Sequence, residues 1–222
     1  MMERITFSTD DGITIVGNLY KGKEGSPCAL LLHMMPATKE SWETFAVQLV
    51  DSGYTVLAID LRGHGESIGT TERPIDYKEF TDKEHQATIH DIEAAVRWLR
   101  RTQETKESRL VIVGASIGAN LAISFAAKHR PATAVVALSP GLRYHGVSIE
   151  SATAELPSLA KIYFAASDDD EYALSSVREL AAMRSKSTTL RELHDAGHGT
   201  TMFEKSPGFL EEVIRWISKN VR

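Results

Sequence analysis

Short apolar runs, each about the length of one strand, recur along this chain and are separated by stretches with helical spacing. Nearly continuous runs stand at 28–32, 54–59, 110–113, 134–138 and 162–165, and a last strand-like segment at 189–193. Strands that are apolar on both faces belong in a sheet covered on both sides. Between them, Trp42, Phe45, Ala46 and Leu49 fall at i, i+3, i+4 and i+7, one face of a helix, with Gly53 placed to cap it. Ile89, Ile92, Val96 and Leu99 mark a second helix, residues 120–128 a third that stops before Pro131, and Leu174, Val177 and Leu180 a fourth. Leu210, Val213, Ile214 and Ile217 mark the last. Residues 4–8 and 13–19, joined across Asp10-Asp11-Gly12, read as an antiparallel hairpin. The alternation predicts an α/β fold with a mainly parallel central sheet, built as one domain over residues 1–222. In such sheets the chemistry gathers at the C-terminal strand ends.

One of those ends carries a motif. Leu110-Val111-Ile112-Val113 runs straight into Gly114-Ala115-Ser116-Ile117-Gly118, and a helical pattern follows at once. A G-x-S-x-G between strand and helix forces a sharp turn, with a strained backbone at its central serine. The hydroxyl then stands at a helix N-terminus, where developing negative charge is favoured. A serine is a weak nucleophile without a base. Two of the eight histidines follow the last strand, His194 and His198. His198 lies between Gly197 and Gly199, which suit a tightly turning loop that presents an imidazole, and it is the preferred base. An acid to orient it is expected after the strand at 162–165, where Asp168, Asp169 and Asp170 compete.

Composition narrows the function classes. With 25 Lys+Arg against 30 Asp+Glu the net charge is -5, which argues against a nucleic-acid binder. Cys28 is the single cysteine, so an intrachain disulfide and a cysteine-rich zinc site are both excluded. The N-terminus has no apolar signal core, and no apolar stretch approaches a membrane span; a cytoplasmic location is expected. Metal dependence is not expected: His194, Asp195 and His198 cluster in sequence, but Gly197 and Gly199 argue against the helix on which i, i+4 histidines would share a face.

The order Ser116, Asp, His198, with Leu31-Leu32-His33-Met34-Met35-Pro36 and Asp60-Leu61-Arg62-Gly63-His64-Gly65-Glu66-Ser67 upstream, resembles the α/β-hydrolase-fold serine hydrolases. The likeness is to the small, lidless kind close to dienelactone hydrolases and compact carboxylesterases. It implies that Ala166-Ser167 precedes the acid by two variable residues, which favours Asp170 over Asp169. It implies an oxyanion hole from the backbone N–H groups of Ile117 and Met35. His33-Met34 departs from the usual His-Gly there, which leaves Met34 as the alternative donor. The segment 60–67 is expected to be a structural turn.

The expected reaction is hydrolysis of a short-chain carboxylic ester through an acyl-enzyme, with no external cofactor and a small-molecule ester as partner. Neither nucleic acid nor membrane is expected as a partner, and the chain is expected to be a monomer or homodimer. Residues 140–159 are too few for a separate cap domain, so an open site walled by Met34, Met35, Ile117, Leu142, Tyr144, Met202 and Phe203 is expected. Rival readings keep the triad and change the reaction: thioesterase, lactonase, peptidase, acyltransferase or cofactor-free haloperoxidase. A non-catalytic ligand-binding protein on this fold is a rival of another class.

Overall fold

The structure is a computed structural model that describes residues 2–69, 73–103, 109–129 and 134–221. Its sheet is built from β1 (Met2–Ser8), β2 (Thr14–Tyr20), β3 (Cys28–Leu32), β4 (Thr55–Ile59), β5 (Leu110–Ala115), β6 (Ala134–Leu138), β9 (Lys161–Ser167) and β10 (Thr188–Leu193). The strands lie in the order β1-β2-β4-β3-β5-β6-β9-β10. β2 pairs antiparallel with β1 and with β4, and every other pairing is parallel. This is the mostly parallel, helix-flanked sheet that the sequence leads one to expect.

Side-chain alternation divides the core into two layers. Along β3, Cys28, Leu30 and Leu32 face one side while Ala29 and Leu31 face the other. Along β5, Leu110 and Ile112 face the first side, Val111 and Val113 the second. The first side is covered by α3 (Ile89–Thr102), α4 (Ile117–His129) and α6 (Glu171–Met183), which contribute Ile92, Leu99, Leu121, Phe125, Val177 and Leu180. The second is covered by α1 (Glu43–Asp51) and α8 (Phe209–Asn220), through Phe45, Leu49, Val213 and Ile217. Burial on both faces is the reason these strands read as unbroken apolar runs.

Two elements differ from the sequence expectation. α4 begins at Ile117, three residues before Asn120, because its first turn is buried all round and has no polar face to mark it. Pro131, expected to stop it, lies outside the described residues. Before α3 comes a short helix, α2 (Asp82–Ala87), which starts from a capping box rather than an apolar stripe: the Thr81 N–H donates to Glu84 at 2.7 Å and the Thr81 hydroxyl accepts from the Glu84 N–H.

Between β6 and β9 the chain makes only a two-stranded hairpin, β7 (Arg143–Tyr144) and β8 (Val147–Ser148), and the six-residue α5 (Glu150–Glu155). No separate cap stands there. β3 has β4 on one side and β5 on the other, so the connections run outward in opposite directions from that point. Ligands of open α/β sheets bind at such a switch. The residues that follow β3 and β5 are His33-Met34-Met35 and Ser116.

Candidate active site

Ser116 makes the strand-to-helix turn alone, since β5 ends at Ala115 and α4 begins at Ile117. Its φ is +55°, the left-handed conformation that a non-glycine residue adopts at a cost of about 1–3 kcal/mol. The Ser116 N–H donates to the Leu138 carbonyl at 2.8 Å, and its carbonyl accepts from the N–H groups of Ala119 and Asn120. The flanking glycines are steric requirements. A Cβ on Gly114 would lie 2.2 Å from the Gly118 carbonyl oxygen, and one on Gly118 would lie 2.4 Å from the Leu32 carbonyl oxygen.

The parallel neighbours β9 and β10 deliver the acidic run and the histidine loop side by side. Successive residues of one clasp successive residues of the other. The Ser167 hydroxyl accepts from the Ala196 N–H at 2.8 Å. Asp168 accepts from the Asp195 N–H at 2.9 Å and meets His194 Nδ1 at 2.6 Å. Asp169 accepts from the Gly197 N–H at 3.0 Å. Asp170 meets His198 Nδ1 at 2.5 Å. All three aspartates therefore grip the same loop, each at a different residue.

Exposure separates the two His–Asp pairs. His194 is 83% exposed, whereas His198 and Asp170 are 37% and 17% exposed. His194 lies in solvent against Asp168. Asp170 also caps α6 by accepting from the Ala173 N–H at 3.3 Å, so the helix fixes the carboxylate that holds His198. The same loop returns to the serine turn. The Gly199 N–H donates to the Ser139 hydroxyl at 2.9 Å, and a Cβ on Gly199 would lie 2.5 Å from Met34 Sδ and 3.3 Å from the Ala115 Cβ.

His33, fully buried, organises the turn after β3. Its Nε2 accepts from the Leu61 N–H at 3.0 Å, so its proton sits on Nδ1, which donates to the Met34 carbonyl at 2.9 Å. Burial, reinforced by the neighbouring His64 ring, holds the His33 imidazole down to about 3, so it stays neutral. The Met34–Met35 peptide is trans, so the Met35 N–H points away from the His33 ring.

A match to the family model described as serine aminopeptidase, S33, runs over residues 23–205. The chain belongs to that family. Among curated relatives of this S33 family member, a polyketide transferase of Stachybotrys chlorohalonatus is 32% identical over 62% of this chain and 44% of its own length. Epoxide hydrolase 3 of Xenopus tropicalis is 36% identical over 49% and 26%. A thiohydrolase of Aspergillus aculeatus is 26% identical over 61% and 41%. The chain thus spans less than half the length of these relatives. Among solved structures, an esterase of Pyrococcus furiosus superposes over 99% of this chain and 92% of that one, with a TM-score of 0.76 at 18% identity. A dienelactone hydrolase of Anabaena variabilis does so over 99% and 96%, with 0.75 at 21%. The fold is that of the α/β-hydrolases, a group whose members here include esterases, a thiohydrolase and other hydrolases.

The remaining sequence expectations separate cleanly in this S33 fold. Segment 60–67 is a hydrogen-bonded turn: buried Asp60 accepts from Lys39 Nζ and from the Glu66 N–H, and the Ser67 hydroxyl donates to the Asp60 carbonyl. Met202 and Phe203 pack into the second core layer. Met202 is fully buried and Phe203 stacks on Phe45 at 5.0 Å, so both serve the second core layer. Met34, Met35, Ile117 and Leu142 also pack against core clusters. Tyr144 also stands against the histidine, with ring centroids 6.3 Å apart. Asp168, His194 and Asp195 bring donor atoms within 4.8 Å of one another, all at exposed side chains that ion-pair among themselves. No described helix is long and apolar enough to cross a membrane.

Proposed function

We propose that this protein is a serine hydrolase that cleaves short-chain carboxylic esters through an acyl-enzyme. The observation that carries the reading is the Asp170–His198 pair, in the loop that packs beside a serine held at positive φ. Asp170 fixes the His198 tautomer with its proton on Nδ1, which leaves Nε2 to take the proton of Ser116. Ser116 Oγ then bonds to the acyl carbon. The oxyanion forms against the N–H groups of Ile117, at the start of α4, and of Met35. His198 returns the proton to the leaving oxygen, the C–O bond breaks, and water repeats the sequence to release the acid. The absence of a cap between β6 and β9 favours small acyl groups.

Ser116→Ala tests it. Hydrolysis of a short acyl ester should fall by about three or more orders of magnitude, with circular dichroism unchanged and fluorophosphonate labelling abolished. A Ser116→Ala protein that turns over at the parent rate would exclude the mechanism. The relatives named as a polyketide transferase and a thiohydrolase favour a second reading, acyl transfer or hydrolysis from a thioester through the same acyl-enzyme. Matched oxygen and sulfur esters of one acid discriminate the two.

A further inference from the structure

Tyr144 is held over the candidate triad by an unusual number of independent restraints. It ends β7, and it pairs with Val147 across a two-residue turn, His145-Gly146, whose φ values are +45° and +78°. Positive φ at both central positions is the type I′ hairpin turn, and a histidine occupies one of them in place of the usual small residue. Asn120, four residues after Ser116 and fully buried, clamps the base of this hairpin. Its Nδ2 donates to the carbonyls of Gly141 and Val147, both at 2.9 Å, and its Oδ1 accepts from the Gly141 N–H at 3.2 Å. The Tyr172 hydroxyl accepts from the Arg143 N–H and donates to the Arg143 carbonyl, both at 3.0 Å. Gly141 leaves room for the two rings, since a Cβ there would lie 2.5 Å from Tyr172 and 2.8 Å from Tyr144.

The result is a fixed hydroxyl. It reaches the Ser139 carbonyl at 3.5 Å, and the ring stands against that of His198 with centroids 6.3 Å apart. Burial, with the charge of Asp170 added, keeps the phenol protonated well above its ordinary range. A neutral phenol beside His198 is a hydrogen-bond donor for an oxygen on the carbon that bonds to the Ser116 oxygen. That carbon carries two others in the tetrahedral intermediate. One is the oxyanion, assigned to the Ile117 and Met35 amides. The other is the leaving oxygen, on the His198 side where Tyr144 stands.

We infer that the Tyr144 hydroxyl is a catalytic donor that binds the leaving-group oxygen as its bond to carbon breaks. The inference rests on the serine-hydrolase reading above. As the C–O bond breaks, its electron pair moves to the leaving oxygen. That oxygen takes the proton His198 removed from Ser116, and Tyr144 keeps its own proton and stabilises the charge in passage. The need for such a donor rises with the basicity of the leaving group.

Tyr144→Phe removes the hydroxyl and retains the ring against Tyr172 and Gly141. On a series of acetates from p-nitrophenyl through phenyl and trifluoroethyl to ethyl, kcat/KM of the variant should fall about 10- to 100-fold on ethyl acetate, the loss expected for one hydrogen bond to a developing anion. The fall should be under about threefold on p-nitrophenyl acetate, which needs little help. The dependence on leaving-group pKa should therefore steepen, a change that a purely structural role does not produce. An equal loss across the series, or no loss, overturns the assignment. Ser116→Ala is run on the same esters. If it hydrolyses them at the parent rate, the serine reading falls and takes this inference with it. If Ser116 is required and the Tyr144→Phe series runs parallel to the parent, only the role of Tyr144 falls.

Discussion

His33 offers the sharpest test of how the turn after β3 is built. Substitution by Leu preserves bulk and removes both ring nitrogens. The buried Leu61 N–H and the part-buried Met34 carbonyl then lose partners that lie at 3.0 and 2.9 Å. Leaving a buried donor unsatisfied costs about 1–3 kcal/mol, and the part-buried carbonyl adds less, so the variant should lose roughly 1–4 kcal/mol of stability. That is a large share of what a domain of this size has. Urea unfolding at neutral pH reads it directly. Ester turnover should fall as well, because the Met34–Met35 peptide loses the bond that fixes the direction of the Met35 N–H. His33→Gln, which keeps a donor and an acceptor, should recover part of both. The pH dependence has a definite sign. The folded-state pKa of His33, about 3, lies below the ordinary 6.5, so the unfolded chain binds the proton more readily. The stabilisation is complete above pH 6.5 and is lost as pH falls toward 3, at up to about 1.4 kcal/mol per pH unit. The stability gap between parent and His33→Gln should narrow over that window. A His33→Leu protein as stable and as active as the parent at neutral pH would refute the lock.

The acidic run predicts three different outcomes from one substitution. Asp170→Asn should reduce kcat by about 100-fold or more, because His198 loses the charge that orients it. Asp168→Asn, at an exposed pair, should hydrolyse esters at close to the parent rate, and Asp169→Asn should differ little from it; assays of the three proteins side by side check the ranking. Gly118→Ala should destabilise by about 1–3 kcal/mol in thermal or urea unfolding, since the new methyl meets the Leu32 and His33 carbonyls and pushes α4 from the end of β3.

What was legible in the sequence follows from where each signal is written. β3, β5 and β6 are short apolar runs because both their faces are covered, so their existence could be read from composition alone. The Ser116 turn was legible because its constraint is local: the two glycines that relieve it lie two residues to either side. The choice among Asp168, Asp169 and Asp170 was not local. All three side chains bond to the same loop, and only the register of β9 against β10 sets which rung each one meets. Asn120 was hidden for a similar reason. It reads as one polar residue in an apolar helix, and its partners Gly141 and Val147 are 21 and 27 residues away. The core role of Met202 was hidden because it follows His198 closely, while α7 (Thr201–Lys205) buries it in the second core layer and sets Phe203 against Trp42 and Phe45.

The methionine at position 34 shows how a departure from the usual His-Gly pairing is accommodated. A side chain at that point must go somewhere, and here its sulfur lies where a side chain on Gly199 would be. Gly199 has a φ of +59°, so it serves both the turn that follows His198 and the space that Met34 fills. The loss of backbone freedom after β3 is offset by His33, which fixes the Met34 carbonyl from below. Met34 therefore ties the loop after β3 to the loop that carries His198 by direct packing, a contact that a glycine in its place would not make. Shortening it to Ala should leave a void between the two loops and loosen both, which couples the position of the Met35 N–H to that of His198 although no hydrogen bond joins them.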